Sequence, residues 1–237
     1  RMPSLAITGL VKKFGSQTAV AGLTFDVHGG EVVGLLGPNG AGKSTTFLCA
    51  AGLLRPDGGT IAWDGRDLGA ARGRTIALIP ETPDVYPMLT VWEHLVFVAK
   101  SCRLADGWQP HGDDLLERFA MTDQRNTLGQ SLSKGMRQKT LIAATVLAGT
   151  PVVLLDEPMI GLDPLGQREL RTIIADLRRQ GRALVISTHM LEQAQTLCDR
   201  VVIMKAGKTI AAGTFADLQA QTGDQGTAED LFLELTR

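Results

Sequence analysis

Apolar residues near both ends of the chain follow the spacing of β-strands. Leu23, Phe25 and Val27 alternate with less apolar neighbours, as in a strand with one buried face. Val32–Leu36 and Val152–Leu155 are short continuous apolar runs, which are typical of parallel strands buried on both faces. These patterns predict a sheet with a buried parallel portion.

Helical patterns occupy the middle of the chain and the spaces between the later strands. Thr90 and Glu93 have the spacing of a capping box, which predicts a helix that begins after Thr90. Helical spacing continues over residues 113–120 and 133–147, and a further helix is predicted from Asp163-Pro164. Strands and helices alternate from residue 151 onward.

The order of these elements predicts how the chain is divided. Residues 1–81 and 151–221 form an α/β core, and residues 82–150 form a helical insertion. A tail over residues 222–237 is predicted to contain a flexible linker, Thr222–Thr227, and a short helix, Ala228–Leu235.

Charge and cysteine content exclude several classes of function. Twenty-four basic and 25 acidic residues give a net charge of -1, so no general attraction to nucleic acid is expected. Cys49, Cys102 and Cys198 are odd in number and far apart, which fits neither a disulfide framework nor a zinc site. No apolar run approaches the roughly 20 residues of a membrane helix, and no signal-peptide pattern is visible.

A glycine-rich segment after the strand Val32–Leu36 has the spacing G-x-x-x-x-G-K-S and precedes a helix predicted over Thr45–Leu54. Backbone N–H groups in such a loop form a nest for phosphate, and the helix N-terminus adds its positive dipole. Lys43 is predicted to reach the β- and γ-phosphates, and Ser44 to bind Mg²⁺. The segment, with the first helical residue, consists of Gly37, Pro38, Asn39, Gly40, Ala41, Gly42, Lys43, Ser44 and Thr45.

Two carboxylates, Asp156 and Glu157, end the second buried apolar strand. Charges at such a position are costly unless a cation accompanies them. Because the phosphate loop also follows a strand, Asp156 is predicted to hold Mg²⁺. Glu157 is predicted to polarise the water that attacks the γ-phosphate.

About twenty residues earlier lies Leu132-Ser133-Lys134-Gly135-Met136, and with it the chain resembles the nucleotide-binding domain of an ATP-binding cassette (ABC) transporter. The resemblance covers nearly the whole chain. It implies an α/β P-loop NTPase fold with a mixed sheet, an N-terminal antiparallel β portion and an inserted helical subdomain. It also implies ATP and Mg²⁺ as ligands, and two cassettes that sandwich ATP head to tail. Ser133, Lys134, Gly135 and Met136 would then contact the nucleotide of the partner cassette.

The resemblance assigns roles to four more positions. Phe14 matches the aromatic residue that stacks on adenine, and Val20 is expected to pack on the same base. Asp163 ends the segment Ile160-Gly161-Leu162-Asp163, through which each cassette touches its partner, and it also suits a helix N-cap. His189 matches the histidine that contacts the γ-phosphate.

Three positions depart from the usual family pattern. Glu81 stands where glutamine is common and remains a candidate Mg²⁺ ligand, while Lys134 replaces a glycine and Met136 a glutamine. Lys134 either adds positive charge towards the opposed phosphates or points to solvent. These departures resemble export-type (ABC-2-like) cassettes, as does Asp230–Leu235 in the tail.

The expected partners follow from the same resemblance. A second cassette, expected to be an identical chain, completes the ATP sandwich. The loop Pro83–Tyr86 is expected to receive separate membrane subunits, with the chain at the cytoplasmic face of the membrane. Three alternatives remain: a cassette ATPase not coupled to transport, a P-loop kinase or GTPase, and a regulatory module that binds nucleotide without hydrolysing it.

Overall fold

The structure, a computed structural model, describes residues 2–222. Residues 223–237, which hold most of the predicted linker and all of the predicted tail helix, lie outside the described residues. The described strands are β1 (Ser4–Phe14), β2 (Gln17–His28), β3 (Val32–Leu36), β4 (Gly58–Trp63), β5 (Arg66–Asp67), β6 (Ile76–Ile79), β7 (Val152–Asp156), β8 (Ala183–Thr188), β9 (Arg200–Lys205) and β10 (Lys208–Gly213). The helices are α1 (Lys43–Ala50), α2 (Val91–Ser101), α3 (Gln109–Arg118), α4 (Lys134–Ala148), α5 (Pro164–Arg179), α6 (Leu191–Leu197) and α7 (Phe215–Thr222).

Two sheets form the core. One has four strands in the order β2-β1-β4-β5, and each pair in it is antiparallel. The other has six strands in the order β10-β9-β3-β8-β7-β6; all its neighbours are parallel except β9 and β10, so this sheet is mixed. The fold class implied by the sequence is confirmed: an α/β P-loop fold with an N-terminal antiparallel portion.

The parallel strands explain why the candidate site lies where it does. Strands β3, β7 and β8 are buried along their whole length, as the continuous apolar runs of β3 and β7 predict. Because they run parallel, their carboxyl ends meet at one edge of the sheet, and loops leaving that edge lie side by side. This edge carries both the glycine-rich loop and the acidic pair.

Helices α2, α3 and α4 all lie within residues 82–150 and share a buried apolar cluster with α5 and one face of the six-stranded sheet. The predicted capping box is present: the Thr90 hydroxyl accepts the Glu93 N–H at 3.2 Å, and the Glu93 carboxylate accepts the Thr90 N–H at 2.7 Å. Helix α5 begins after Asp163, whose carboxylate caps it by accepting the Gly166 N–H at 2.8 Å.

Several elements differ from their sequence-based prediction. Strands β4, β6 and β10 were not predicted: β6 has only four residues, β4 buries one of its six residues, and β10 exposes most of its side chains. The first helix spans Lys43–Ala50 instead of the expected Thr45–Leu54, because the phosphate loop passes directly into it. No helix within residues 2–222 is long and apolar enough to cross a membrane.

Candidate functional site

A cleft of about 680 Å³ opens at the carboxyl edge of the six-stranded sheet. Its volume falls within the range of small-molecule sites, about 300–1,000 Å³. The residues that line it come from β1, β2, the glycine-rich loop, α1, the segments that follow β6 and β7, and the turn between β9 and β10. They are Phe14, Gln17, Thr18, Ala19, Asn39, Gly40, Gly42, Lys43, Ser44, Thr45, Glu81, Asp156, Glu157 and Ala206.

The glycine-rich loop is shaped by the strand β2 that lies beside it. Gly42, the N-cap of α1, has φ 104°, a conformation that residues with a side chain rarely adopt. A Cβ at this position would lie 2.4 Å from the Ala19 carbonyl oxygen, so only glycine fits. The loop therefore delivers the first turn of α1, with its unpaired N–H groups, directly to the cleft.

Lys43 is the first residue of α1, and its ammonium is folded back over the loop. Its Nζ donates to the carbonyl oxygens of Gly37 at 2.7 Å and Pro38 at 3.2 Å, and the residue is 6% exposed. Burial lowers the pKa of Lys43, while the nearby carboxylates oppose that shift, Glu157 most strongly, then Asp156 and then Glu81. The cleft thus holds a buried cation that faces three acids.

Asp156 ends β7, and its side chain is oriented by Ser187 of the neighbouring strand β8. The two residues are paired in the parallel register, and the Ser187 hydroxyl donates a short hydrogen bond to Asp156 Oδ1. Ser187 is fully buried and Asp156 is 6% exposed. The Ser187 oxygen also accepts the Glu157 N–H at 3.3 Å. Sequence reasoning missed this serine, because only the strand register places it opposite Asp156.

Glu157 and His189 form one unit. Glu157 has φ 44°, which is uncommon for a residue other than glycine and turns its side chain out of the strand direction. Its Oε1 accepts the backbone N–H of His189 at 2.9 Å and lies 2.7 Å from Nδ1 of the same residue. An ionised carboxylate only accepts, so Nδ1 carries the hydrogen and Nε2 is left for another partner.

The opposite end of the cleft is aromatic. The Phe14 ring is about half exposed, and the ammonium of Lys12 lies 5.3 Å from its centroid. Val20 differs from its prediction: it is fully buried in the apolar core, whereas the three residues before it, Gln17, Thr18 and Ala19, line the cleft. The pairing of β1 with β2 shifts register between Val20 and Thr18, so Ala19 is skipped there. The predicted contact between Val20 and a base is therefore wrong for this structure.

Oxygen donors for a cation surround the middle of the cleft. Ser44 and Glu81 are exposed on its wall near the buried Asp156. Within residues 2–222, no group of three or more His, Cys, Asp or Glu side chains is arranged to hold a metal ion without other ligands. A hard cation here would need oxygens from a second molecule, such as phosphates.

The signature segment lies elsewhere on the surface. None of Ser133, Lys134, Gly135 and Met136 is among the cleft-lining residues of this chain. Ser133 is the N-cap of α4, and its hydroxyl accepts the Met136 N–H at 3.3 Å. Lys134 is exposed, with its aliphatic carbons beside Gly161. Asp163, the end of the predicted dimer loop, is likewise absent from the cleft wall.

An exposed aromatic surface is formed by Tyr86, Met88 and Phe97, which are 55%, 70% and 46% exposed. The Tyr86 ring lies edge to face with Phe97, 5.2 Å between centroids, and 6.0 Å from His94. His94 is buried; its Nε2 accepts the Tyr86 N–H at 2.9 Å, and Nδ1 lies 2.7 Å from the Thr90 carbonyl oxygen. The loop is therefore fixed to α2.

Comparison with known proteins gives a consistent picture. A sequence profile of the ABC transporter family matches residues 20–160. The lipopolysaccharide export system ATP-binding protein LptB of Haemophilus influenzae is 38% identical over 222 residues, covering 90% of this chain and 91% of that protein. The linearmycin resistance ATP-binding protein LnrL of Bacillus subtilis is 32% identical and covers 98% of this chain and 74% of that protein. A solved ATP-binding subunit of an ABC transporter superimposes with a TM-score of 0.93 at 35% identity, covering 98% of this chain and 99% of that one.

Proposed function

This chain belongs to the ABC transporter family as an ATP-binding subunit that hydrolyses ATP, and from that premise we propose how its residues divide the work. One observation carries the assignment: a single cleft brings together the buried Lys43, the acidic pair Asp156 and Glu157, and the exposed ring of Phe14. A nucleotide is the ligand that has an aromatic base at one end and a chain of phosphates at the other.

The phosphates are assigned to the loop between β3 and α1. Its amides and the N-terminus of α1 supply hydrogen bonds, and Lys43 supplies the charge. Lys43 bonds to Gly37 and Pro38 in this structure, so its ammonium would exchange two carbonyl oxygens for phosphate oxygens. Adenine is assigned to the exposed face of Phe14.

A magnesium ion fits the donor set of this site. Mg²⁺ prefers oxygen ligands and is usually held by one or two carboxylates together with substrate phosphates. Asp156 and Ser44 are assigned as its protein ligands, with Glu81 as a further candidate on the cleft wall. The ion would neutralise charge on the β- and γ-phosphates during hydrolysis.

Glu157 is assigned as the general base and His189 as its partner. The carboxylate is 7% exposed, at the cleft, and can accept the proton of an attacking water. The hydrogen bond from Nδ1 of His189 holds the ring so that Nε2 is available for a γ-phosphate oxygen. With Nδ1 protonated, Nε2 donates to phosphate only when the imidazole carries both hydrogens.

The signature segment requires a second cassette for its role. Ser133 at the N-terminus of α4 offers amides for an anion, yet within residues 2–222 it does not line the cleft. Two copies related head to tail would place this turn, with Lys134, Gly135 and Met136, over the partner's nucleotide. We assign an identical chain as that partner.

The membrane subunits are assigned to the aromatic surface beside the Pro83–Tyr86 loop. Exposed aromatic residues together with methionine are typical of protein interfaces, and His94 holds the loop in one shape before any partner binds. Docking there would hold the chain at the cytoplasmic face of a membrane. Export is the proposed direction, since similar proteins serve lipopolysaccharide export and linearmycin resistance.

Hydrolysis and pairing are tested together with Glu157→Gln, which keeps the size of the side chain and removes the base. Steady-state phosphate release should fall by about 10²–10⁴-fold, and light scattering should show a mass that doubles only with MgATP. Glu192→Gln, in the first turn of α6, is the matched control and should behave like the parent. Unchanged hydrolysis in Glu157→Gln would refute the assignment of the base, and a parent without hydrolysis would favour a regulatory module.

Docking is tested by copurification of the chain with its membrane subunits from detergent-solubilised membranes. Tyr86→Ala should lose the complex while its own ATP hydrolysis stays at the parent level. Leu53→Ala removes an apolar side chain that is 68% exposed away from this surface and should leave the complex intact. A complex that survives Tyr86→Ala would exclude this surface, and a chain that never copurifies would favour an ATPase not coupled to transport.

A further inference from the structure

The signature turn and the dimer loop, defined as Ile160–Asp163, touch each other within one chain. A Cβ on Gly135 would lie 2.8 Å from the Gly161 carbonyl oxygen, so the two backbones are in direct contact. Side-chain carbons of Lys134 lie 3.7–3.9 Å from the position of a Cβ on Gly161, which is ordinary van der Waals distance. The stem of Lys134 therefore covers the dimer loop.

Lys139, one and a half helical turns after the start of α4, holds the far end of the same loop. Its Nζ lies 3.1 Å from Asp163 Oδ2, with the lysine side chain 10% exposed and the aspartate 54% exposed. The other oxygen, Oδ1, accepts the Gly166 N–H at 2.8 Å as the cap of α5. Both carboxylate oxygens of Asp163 are thus engaged, one by α4 and one by α5.

The geometry around this pair is closed. A Cβ on Gly166 would lie 2.8 Å from Asp163 Oδ1 and 3.0 Å from Lys139 Cε, so even a methyl group would displace the pair. The Gln167 amide adds a second restraint, because Nε2 donates at 3.3 Å to the carbonyl oxygens of Met159 and Leu162. The dimer loop is held from both sides by short-range contacts.

A buried lysine is a poor source of stability. Removing an ammonium from water carries a large desolvation penalty, and a single partly exposed carboxylate offsets only part of it, so an apolar side chain of equal volume would pack as well or better. What the pair does provide is a fixed orientation. The carboxylate pKa of Asp163 is held below its ordinary value, first by the Gly166 N–H and then by Lys139, so this carboxylate stays ionised around neutral pH.

We propose that Lys139 is a positioning residue for the ATP sandwich, which fixes the dimer loop to the signature turn so that both reach the partner cassette as one rigid unit. The proposal rests on the proposed head-to-tail dimer. It also explains structurally why a lysine can stand at position 134: the stem of Lys134 packs on Gly161, at the centre of that unit.

The test measures dimerisation in the Glu157→Gln background by light scattering with MgATP. Lys139→Met keeps the stem and removes the charge, and it should weaken the ATP-dependent dimer by 10-fold or more. In a chain that keeps Glu157, Lys139→Met should lower kcat at low protein concentration, because fewer dimers form. The affinity of the monomer for ATP should stay unchanged, since Lys139 does not line the cleft. Lys139→Arg should recover most of the dimer.

Arg118→Met is the matched control for a general loss of stability. Arg118 pairs with Glu169 and Asp176 on α5, each at 3.2 Å, away from the dimer loop. Its loss should lower the melting temperature without weakening the dimer. If Lys139→Met does not fold, Gly166→Ala decides in its place, because it displaces the pair and keeps both charges.

The proposal is supported if Lys139→Met, or its substitute Gly166→Ala, loses the dimer but still binds ATP. In the same experiments Arg118→Met should still form the dimer. The proposal is overturned if Lys139→Met, or its substitute Gly166→Ala, dimerises as tightly as the parent. It is also overturned if Lys139→Met and Arg118→Met both lose the dimer in proportion to their loss of melting temperature. A parent that never doubles in mass refutes the sandwich itself, which distinguishes failure of the proposed function from failure of the role of Lys139.

Discussion

Replacing Ser187 with alanine removes one hydroxyl group from between two strands of the buried sheet. In the parent, that hydroxyl donates to Asp156 Oδ1 and accepts the Glu157 N–H at 3.3 Å. Ser187 is fully buried and Asp156 is 6% exposed, so water has little room to take the place of the lost donor. The change leaves the carboxylate of a proposed Mg²⁺ ligand without its orienting contact.

The expected magnitude follows from these two hydrogen bonds. A bond to a charged group contributes about 1.5–3 kcal/mol, and the Asp156 bond is of this kind. The second adds little, because the Glu157 N–H also donates to the Ser187 carbonyl oxygen at 3.1 Å and keeps that partner. A loss of about 2 kcal/mol in the free energy of unfolding is expected, which is roughly 30-fold in the folding equilibrium.

Denaturant unfolding without nucleotide measures the stability, and Mg²⁺ titration of ATP hydrolysis measures the orientation of Asp156. We expect an apparent Mg²⁺ affinity about 10-fold weaker, because the Asp156 carboxylate is no longer held in one orientation. ATP affinity without metal should not change. Thr150→Val is the matched control: the buried Thr150 hydroxyl bonds only to a neutral acceptor, the Val152 carbonyl oxygen at 3.0 Å, and its loss should cost about 1 kcal/mol.

A Ser187→Ala variant that is no less stable than Thr150→Val would refute this expectation, because the hydrogen bond to Asp156 would then contribute no more to the free energy of unfolding than a bond to a neutral acceptor. The expectation also fails if the Mg²⁺ dependence of hydrolysis is the same in Ser187→Ala and the parent. A Mg²⁺ dependence that shifts equally in Thr150→Val would assign the effect to general loosening of the sheet.

Three further outcomes follow from the structure. Phe14→Ala should weaken ATP binding about 10-fold in equilibrium titrations with kcat unchanged, and Phe14→Tyr should not, because base stacking on an aromatic ring contributes about 1–3 kcal/mol; equal affinities would exclude the ring from the site. Gly112→Ala should lose about 1–2 kcal/mol in thermal or chemical unfolding, because three large side chains lie 3.2 Å from the added methyl group and this crowding outweighs the roughly 1 kcal/mol that alanine gains over glycine within a helix; an unchanged stability would contradict that packing. Asp163→Asn keeps a cap on α5 but removes the charge. In the parent, the Gly166 N–H and Lys139 lower the pKa of Asp163. The stabilisation that comes from the ionised carboxylate is therefore present above the ordinary carboxyl pKa and is lost as pH falls through the lowered value. The difference in melting temperature between this variant and the parent should therefore narrow in acid, and a constant difference would refute the charge effect.

Features whose residues all lie within one short segment could be predicted from the sequence. The glycine-rich loop, the capping box at Thr90 and the buried strands of the core depend on neighbours within a few residues, and each is found where its pattern predicts it. The aspartate that caps α5 belongs to the same group. Strand β6 is apolar but has only four residues, and β10 is largely exposed, so neither shows a periodic pattern and only strand pairing defines them.

Contacts between distant segments are decided by the tertiary structure. The register of β7 against β8 places Ser187 beside Asp156, and the pairing of β2 with β1 leaves Val20 in the core and Ala19 in the cleft. The pairing of Lys139 with Asp163 likewise depends on how α4 packs against α5. The sequence by itself therefore determined the family and the segments that carry the candidate site, because motifs are local. The structure decided which side chains hold those groups in place, because orientation depends on packing between segments far apart in the chain.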